Sequence, residues 1–192
     1  MTAHLRFDFT FPRSYEVKIL PGVPPIHPAE KLYHYPVELE EGDRTGLYLR
    51  VVPEDRPPWR GFFALGFESP QVISAVCSCP NPRMLCVIAG GYGYVVDAPE
   101  PDNWTRIEQR PVVELKPLPE HQLILFIGFT SITALGENGI AWTTKRLSWE
   151  GIRISDIREG KVSGFGWDAL TDKELPFEVD IKTGEHTGGV AP

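Results

Sequence analysis

The chain has 192 residues, 18 of them glycine and 19 proline, with 42% hydrophobic and 23% charged residues and a formal net charge of -7. A polypeptide of this size can bury roughly 70% of the surface it exposes when unfolded, and its apolar content is too high for a disordered segment. The acidic balance argues against a nucleic-acid partner, because the densest basic group is only Lys145, Arg146, Arg153 and Arg158.

The strand signals start at the N-terminus. Leu5 to Phe11 alternates apolar and polar residues, which is the two-residue period of a half-buried strand. Tyr15 to Leu20 follows. Pro21 to Pro28 then breaks the pattern with four prolines and reads as an extended, rigid loop with polyproline character. Further strands are expected over Gly46 to Val52, Phe62 to Phe67, Val72 to Cys79, Leu85 to Ala89, Tyr92 to Asp97, Leu123 to Phe129 and Ile152 to Ile157. Phe177 to Ile181 alternates strictly, with Glu178 and Asp180 on its polar face. Proline recurs too often for long helices.

Turn chemistry agrees with strands. Asn138-Gly139 is a hairpin signal, because a type I′ turn needs positive φ at both central positions, and centring the turn there sets Leu135 opposite Trp142. Glu159-Gly160 marks a second hairpin and Lys182-Thr183-Gly184 ends the last clear strand. The expected fold is all-β and mostly antiparallel, a two-layer sandwich or stacked meanders in a single domain over 1–192. Within it, an N-terminal layer (1–60) precedes a β unit (61–184), and 185–192 is a frayed tail.

A weak repeat offers an alternative arrangement. Pro80 and Pro119 are 39 residues apart, Met84 to Ile88 aligns with Leu123 to Ile127, and Trp104 and Trp142 are 38 apart. A period near 40 residues resembles one blade of a β-propeller, and Asp180 to Gly184 resembles the Asp-x-x-Thr-Gly strand end of some propeller blades. The resemblance implies a small or incomplete propeller-like arrangement.

Candidate chemistry is sparse. If Pro80 to Arg83 is a hairpin loop, Cys77 faces Cys86 with Cys79 on the same face. These three thiols read as small buried hydrophobes, the alternative being a soft-metal site completed by a histidine such as His121. Asp168, Asp172 and Glu174 are the acid/base candidates, beside Trp167 as a stacking wall; their other reading is a turn in which the carboxylates cap backbone amides. The five histidines show no metal-binding spacing, and no phosphate loop, Gly-x-Ser-x-Gly elbow or dinucleotide fingerprint occurs. Asn103-Trp104-Thr105 matches a glycosylation sequon, read as chance. Tyr92, Tyr94, Trp149 and Trp167 are the candidate binding aromatics.

The reading that follows is a non-enzymatic binding module for a protein partner, without cofactor or metal. The runner-up is a hydrolase or lyase acting on a small sugar-like substrate through Asp168, Asp172 or Glu174. The N-terminus lacks a basic segment followed by an apolar run, and the apolar stretches Met84 to Val96 and Leu123 to Leu135 are shorter than the roughly 18–20 residues of a membrane span. A cytoplasmic location and no membrane partner are expected; pairing of strand edges into a homodimer stays open.

Overall fold

The computed structural model describes residues 5–38, 45–67 and 69–190, so Met1 to His4 and the last two residues of the expected tail lie outside it. The chain divides into two compact units, residues 1–111 and 112–192. The expected break near residue 60 is instead a strand.

In chain order the first unit holds β1 (Arg6–Asp8), β2 (Tyr15–Leu20), β3 (Leu32–Tyr35), β4 (Gly46–Pro53), β5 (Trp59–Ala64), β6 (Ala75–Ser78), β7 (Met84–Ala89), β8 (Tyr92–Asp97) and β9 (Trp104–Ile107). They form two sheets, one ordered β2-β4-β5-β3 and the other β1-β6-β7-β8-β9. The pairings β3 with β5 and β1 with β6 are parallel. The second unit holds β10 (Glu114–Leu118), β11 (Leu123–Ile127), β12 (Ile132–Gly136), β13 (Gly139–Thr143), β14 (Ile152–Arg158), β15 (Lys161–Asp168), β16 (Lys173–Asp180) and β17 (His186–Gly188), in two antiparallel sheets ordered as the chain runs. Among the described residues no sheet closes into a barrel, and helix is limited to one 3-10 turn at Pro119–His121. The all-β, mostly antiparallel architecture stands, and in each unit two sheets share a core.

The repeat has a structural meaning. Met84 to Ile88 and Leu123 to Ile127 are the second strands of consecutive four-stranded meanders, β6 to β9 and β10 to β13, and Trp104 and Trp142 lie on their fourth strands. The sheet built from β2 to β5 departs from that pattern, because β3 crosses over to lie beside β5.

In the first unit, Leu49, Val51, Phe63 and Trp59 from one sheet pack on Val76, Leu85, Val87, Tyr94 and Val96 from the other. Tyr35 stacks on Phe63 with ring centroids 4.7 Å apart. Four of the polar aromatic tips in this core cross to a carbonyl of the opposite sheet or the loop that extends it. The Trp59 indole donates to Ala98 O (2.7 Å), Tyr35 to Pro101 O (2.8 Å), Tyr94 to Ala64 O (2.9 Å) and Tyr15 to Met84 O (3.0 Å). In the second unit Trp142 donates to Ile181 O at 2.8 Å. The spacing from Trp59 to Ala98 equals that from Trp142 to Ile181, 39 residues, and both acceptors follow the third strand of a meander.

Three local expectations need correction. The hairpin at residue 138 turns on Glu137 and Asn138, since Gly136 pairs with Gly139 and Leu135 with Ile140. Gly139 alone of that turn takes positive φ (110°), and a bulge at Ala141 then sets Trp142 opposite Ala134, returning the indole to the core. The strand Leu5 to Phe11 shrinks to three residues: Phe11 is buried while Phe7 is 48% exposed, so the four apolar residues do not share one face. In the C-terminal tail, His186–Gly188 pairs with β16 and Val190 is buried. The Glu159-Gly160 turn is as expected, with both residues at positive φ between the paired Arg158 and Lys161.

Replacing Trp59 or Trp142 with Phe leaves Ala98 O or Ile181 O buried without its donor, so each variant is expected to lose about 1–3 kcal/mol in denaturant unfolding. Leu170→Ala, at an 80% exposed position, serves as the control with a change under about 0.5 kcal/mol.

Candidate functional site

The sequence candidates gather at one end of the β14 to β17 sheet. Even-numbered residues of β15 point into the core, so Val162 is fully buried, while Phe165 and Trp167 stand half-buried on the outer face. Ser148, fully buried, staples the approach to β14 onto this strand. Its hydroxyl donates to Gly151 O (2.7 Å) and accepts from the Trp167 N–H (2.9 Å), and the Trp149 N–H donates to Trp167 O (2.9 Å). Gly166 makes this approach possible: a Cβ there would run into the Leu147 carbonyl oxygen.

Asp168 ends β15 at 6% exposure. Its carboxylate accepts from the Thr171 hydroxyl (2.6 Å) and the Leu170 N–H (3.4 Å). The Thr171 hydroxyl is the largest reason its pKa lies below the usual carboxylate value. Asp168 is therefore an ionised acceptor organising the β15–β16 turn. Asp172, at φ 52°, accepts from the Trp167 indole at 3.1 Å. Glu174 pairs with Arg153 (2.6 Å), whose guanidinium also lies 4.6 Å from the Phe165 ring centroid. Each of the three candidate carboxylates thus has a local partner.

The result is a presented surface. Trp149 is 37% exposed with the Arg146 guanidinium 4.3 Å from its ring centroid, and Leu170 is 80% exposed. The Leu170 N–H is held by Asp168 and the Trp149 N–H by Trp167 O. Ser148 and Leu170 carried no sequence signal of their own, and Arg146 stood out only as part of a thin basic group: a serine between Leu147 and Trp149 declares its role only when Gly166 is brought against it.

The remaining candidates lie elsewhere. Tyr94 is fully buried in the first unit, whereas Tyr92, two residues earlier on the same face, reaches the sheet rim against Phe67 (5.5 Å) and Arg110 (5.4 Å). Alternation gave both the same side, and depth separates them. Cys77 faces Cys86 as expected and all three thiols are free and buried. Hydrogen bonding to Cys86 and then burial push Cys77 well up; at Cys79 the lowering contact with Cys86 is offset by burial and the neighbouring Cys77 together, and at Cys86 the lowering contact with Cys77 is offset by the contact with Cys79, burial and the Cys79 charge together, so all three stay protonated at neutral pH. Among the described residues no group of three or more His, Cys, Asp or Glu is arranged to hold a metal ion. Two open concavities, of about 730 and 620 Å³, lie in the first unit at residues 9–16 with 52–54 and at Tyr33 with 99–103, and neither includes Asp168, Asp172 or Glu174. Among the described residues no helix is long and apolar enough to cross a membrane.

No protein-family model and no curated protein matches the sequence. Solved structures share only an outline with it. The N-terminal domain of Nup159 is 15% identical with a TM-score of 0.38, over 98% of this chain and 54% of that one. A chain in the S. cerevisiae assembly of Dbp5 bound to Nup159 and Gle1 with IP6 and ADP gives 15% and 0.37, over 96% and 52%. The WD40 domain of SCAP from fission yeast gives 10% and 0.31, over 89% and 47%. The chain spans about half the length of the structures it matches, and at these scores the likeness assigns neither a blade number nor a partner.

Asp168 and Asp180 make one acid-sensitive pair of turns. Asp180 accepts from the Lys182 and Thr183 N–H groups (both 2.9 Å) and from the Thr183 hydroxyl (3.1 Å), and these bonds lower its pKa. A carboxylate whose folded pKa is depressed contributes stability above its unfolded pKa of about 3.9, and that contribution disappears as pH falls through the folded value. Melting midpoints of Asp168→Ala and Asp180→Ala are therefore expected below wild type at pH 6, with the gap closing as pH is lowered towards about 2.5. A gap that is constant from pH 6 to 2.5 contradicts the ionised-acceptor role.

Proposed function

We propose that this chain is a non-enzymatic binding module that takes a protein partner through the surface centred on Trp149 and Leu170. One observation carries the reading: an exposed tryptophan and an exposed leucine stand on hydrogen-bonded backbone, Trp149 through its N–H to Trp167 O and Leu170 through its N–H to the buried Asp168, with an arginine stacked on the indole. Tryptophan and arginine dominate protein-interface energetics. Holding them in place before binding reduces the ordering cost that association otherwise carries. The cytoplasm is the compartment this reading favours, supported by Cys77 and Cys86 remaining free thiols although they sit directly across a strand pair.

The test compares immobilised wild type with the Trp149→Ala/Leu170→Ser double variant in native lysate, quantifying retained proteins by mass spectrometry. A specific protein held by wild type and reduced about thirtyfold or more on the variant is expected. Equal retention on a variant that melts cooperatively removes this surface as the docking site.

A further inference from the structure

The outermost strand of the first sheet leaves one side of its backbone unpaired. β2 has a single neighbour, β4, and among the described residues no strand lies along its other edge. The β2–β4 register, with the Glu54 N–H donating to Ser14 O at 3.0 Å, sets the phase of the ladder, in which Glu16, Lys18 and Leu20 bond to β4. The N–H and C=O groups of Tyr15, Val17 and Ile19 therefore point outward along the free edge. Among the described residues the Tyr15 carbonyl alone of these has a partner, the Arg13 Nε at 3.1 Å.

The other sheet edges are blunted. β1 and β17 are three residues long, and β3 and β9 four. β10 contains Pro117 and pairs its own Lys116 with Glu114. β13 and β14 carry bulges, and Arg153 and Arg158 of β14 already have carboxylate partners. Short length, proline and bulges are the devices that keep an edge from pairing. β2 has none of them, with six residues in unbroken register and no proline. Its exposed Glu16 and Lys18 share the outer face and have no ion-pair partner among the described residues, and Lys18 stands opposite Arg50 within its own sheet. A lysine on an edge also opposes pairing unless a carboxylate meets it from the other side.

We infer that the free edge of β2 is a self-association site, occupied by β2 of a second copy of this chain running antiparallel about a two-fold axis at Val17. In that register Val17 faces Val17 of the second copy and Tyr15 faces Ile19, and these are hydrogen-bonded pairs because their backbone groups point outward in both chains. Glu16 then faces Lys18 of the second copy, and Lys18 faces Glu16, as close pairs with Cβ atoms roughly 4.5–5.5 Å apart. An axis at Glu16 or at Lys18 instead sets like charges opposite each other, so charge selects the register. The contact uses the same strand on both copies, which closes the assembly as a dimer and leaves neither β2 edge free. Val17, packed against the core of the first unit, and Ile19, 39% exposed, continue that core across the new strand pair. This site belongs to the first unit and does not rest on the Trp149 surface.

The experiment is sedimentation velocity of the full-length protein over a concentration series, with amide hydrogen exchange read at its two ends. Two six-residue strands bury little area, so the dimer is expected to appear above about 100 μM. At that end of the series the Val17 and Ile19 N–H groups are expected to exchange more slowly than in the dilute protein. Lys18→Glu sets a carboxylate opposite Glu16 twice in each dimer and is expected to weaken association at least about tenfold. The double exchange Glu16→Lys/Lys18→Glu brings opposite charges together again and is expected to restore it. Both positions are exposed, so unchanged melting midpoints accompany these effects. A chain that stays monomeric up to about 1 mM overturns the inference. So does self-association that survives Lys18→Glu, that the double exchange fails to restore, or that is lost in Trp149→Ala/Leu170→Ser, the last assigning the contact to the other surface.

Discussion

Five buried aromatic side chains end in a hydrogen bond to a carbonyl on the facing sheet or the loop beyond it, and the packing of the sheets is organised around them. A purely apolar contact between two sheets is non-directional, so it rewards burial without fixing one alignment. A buried indole or phenol without an acceptor is costly, so the alignment that supplies one is selected over its neighbours. Trp59 and Trp142 make the same crossing over the same sequence interval in different units.

The surface around Trp149 depends on a second use of the same economy. Asp168 is drawn inward at the end of β15, where it would be unfavourable as an unpaired charge. It is stabilised by a hydroxyl and a backbone N–H, and in exchange it holds the β15–β16 turn in one geometry. A carboxylate bound in this way is a structural acceptor with a lowered pKa. Leu170 on that turn and Trp149 beside it remain exposed, the feature on which the proposed docking role rests.

Much of the fold was legible because its causes are local. Short apolar or β-rich runs bounded by turn residues located β2, β4, β7, β8 and β14 within about one residue, and the short loop after Cys79 was enough to place Cys77 opposite Cys86. The misses share a different cause. β3 and β1 pair in parallel with strands distant in sequence, so nothing in Leu32–Tyr35 or Arg6–Asp8 names its neighbour. The turn at Glu137 and Asn138 shifted by one residue because the burial of Trp142, not dipeptide preference, decided where the bulge would fall. Likewise Tyr92 and Tyr94 are indistinguishable by pattern and differ only in depth.

For the candidate site, residue types were visible and roles were not. Asp168, Asp172, Glu174, Trp149 and Trp167 stand out in the sequence as carboxylates and aromatics close together. The sequence by itself determined an all-β chain, its principal strands, the thiol register and the Glu159-Gly160 hairpin, since each follows from periodicity or turn stereochemistry within about ten residues. Tertiary structure alone decided the division after Pro111, the parallel strands and the burial of Tyr94. It also decided the conversion of Asp168 into an ionised clamp, because each of these depends on which distant backbone supplies the missing donor, acceptor or wall.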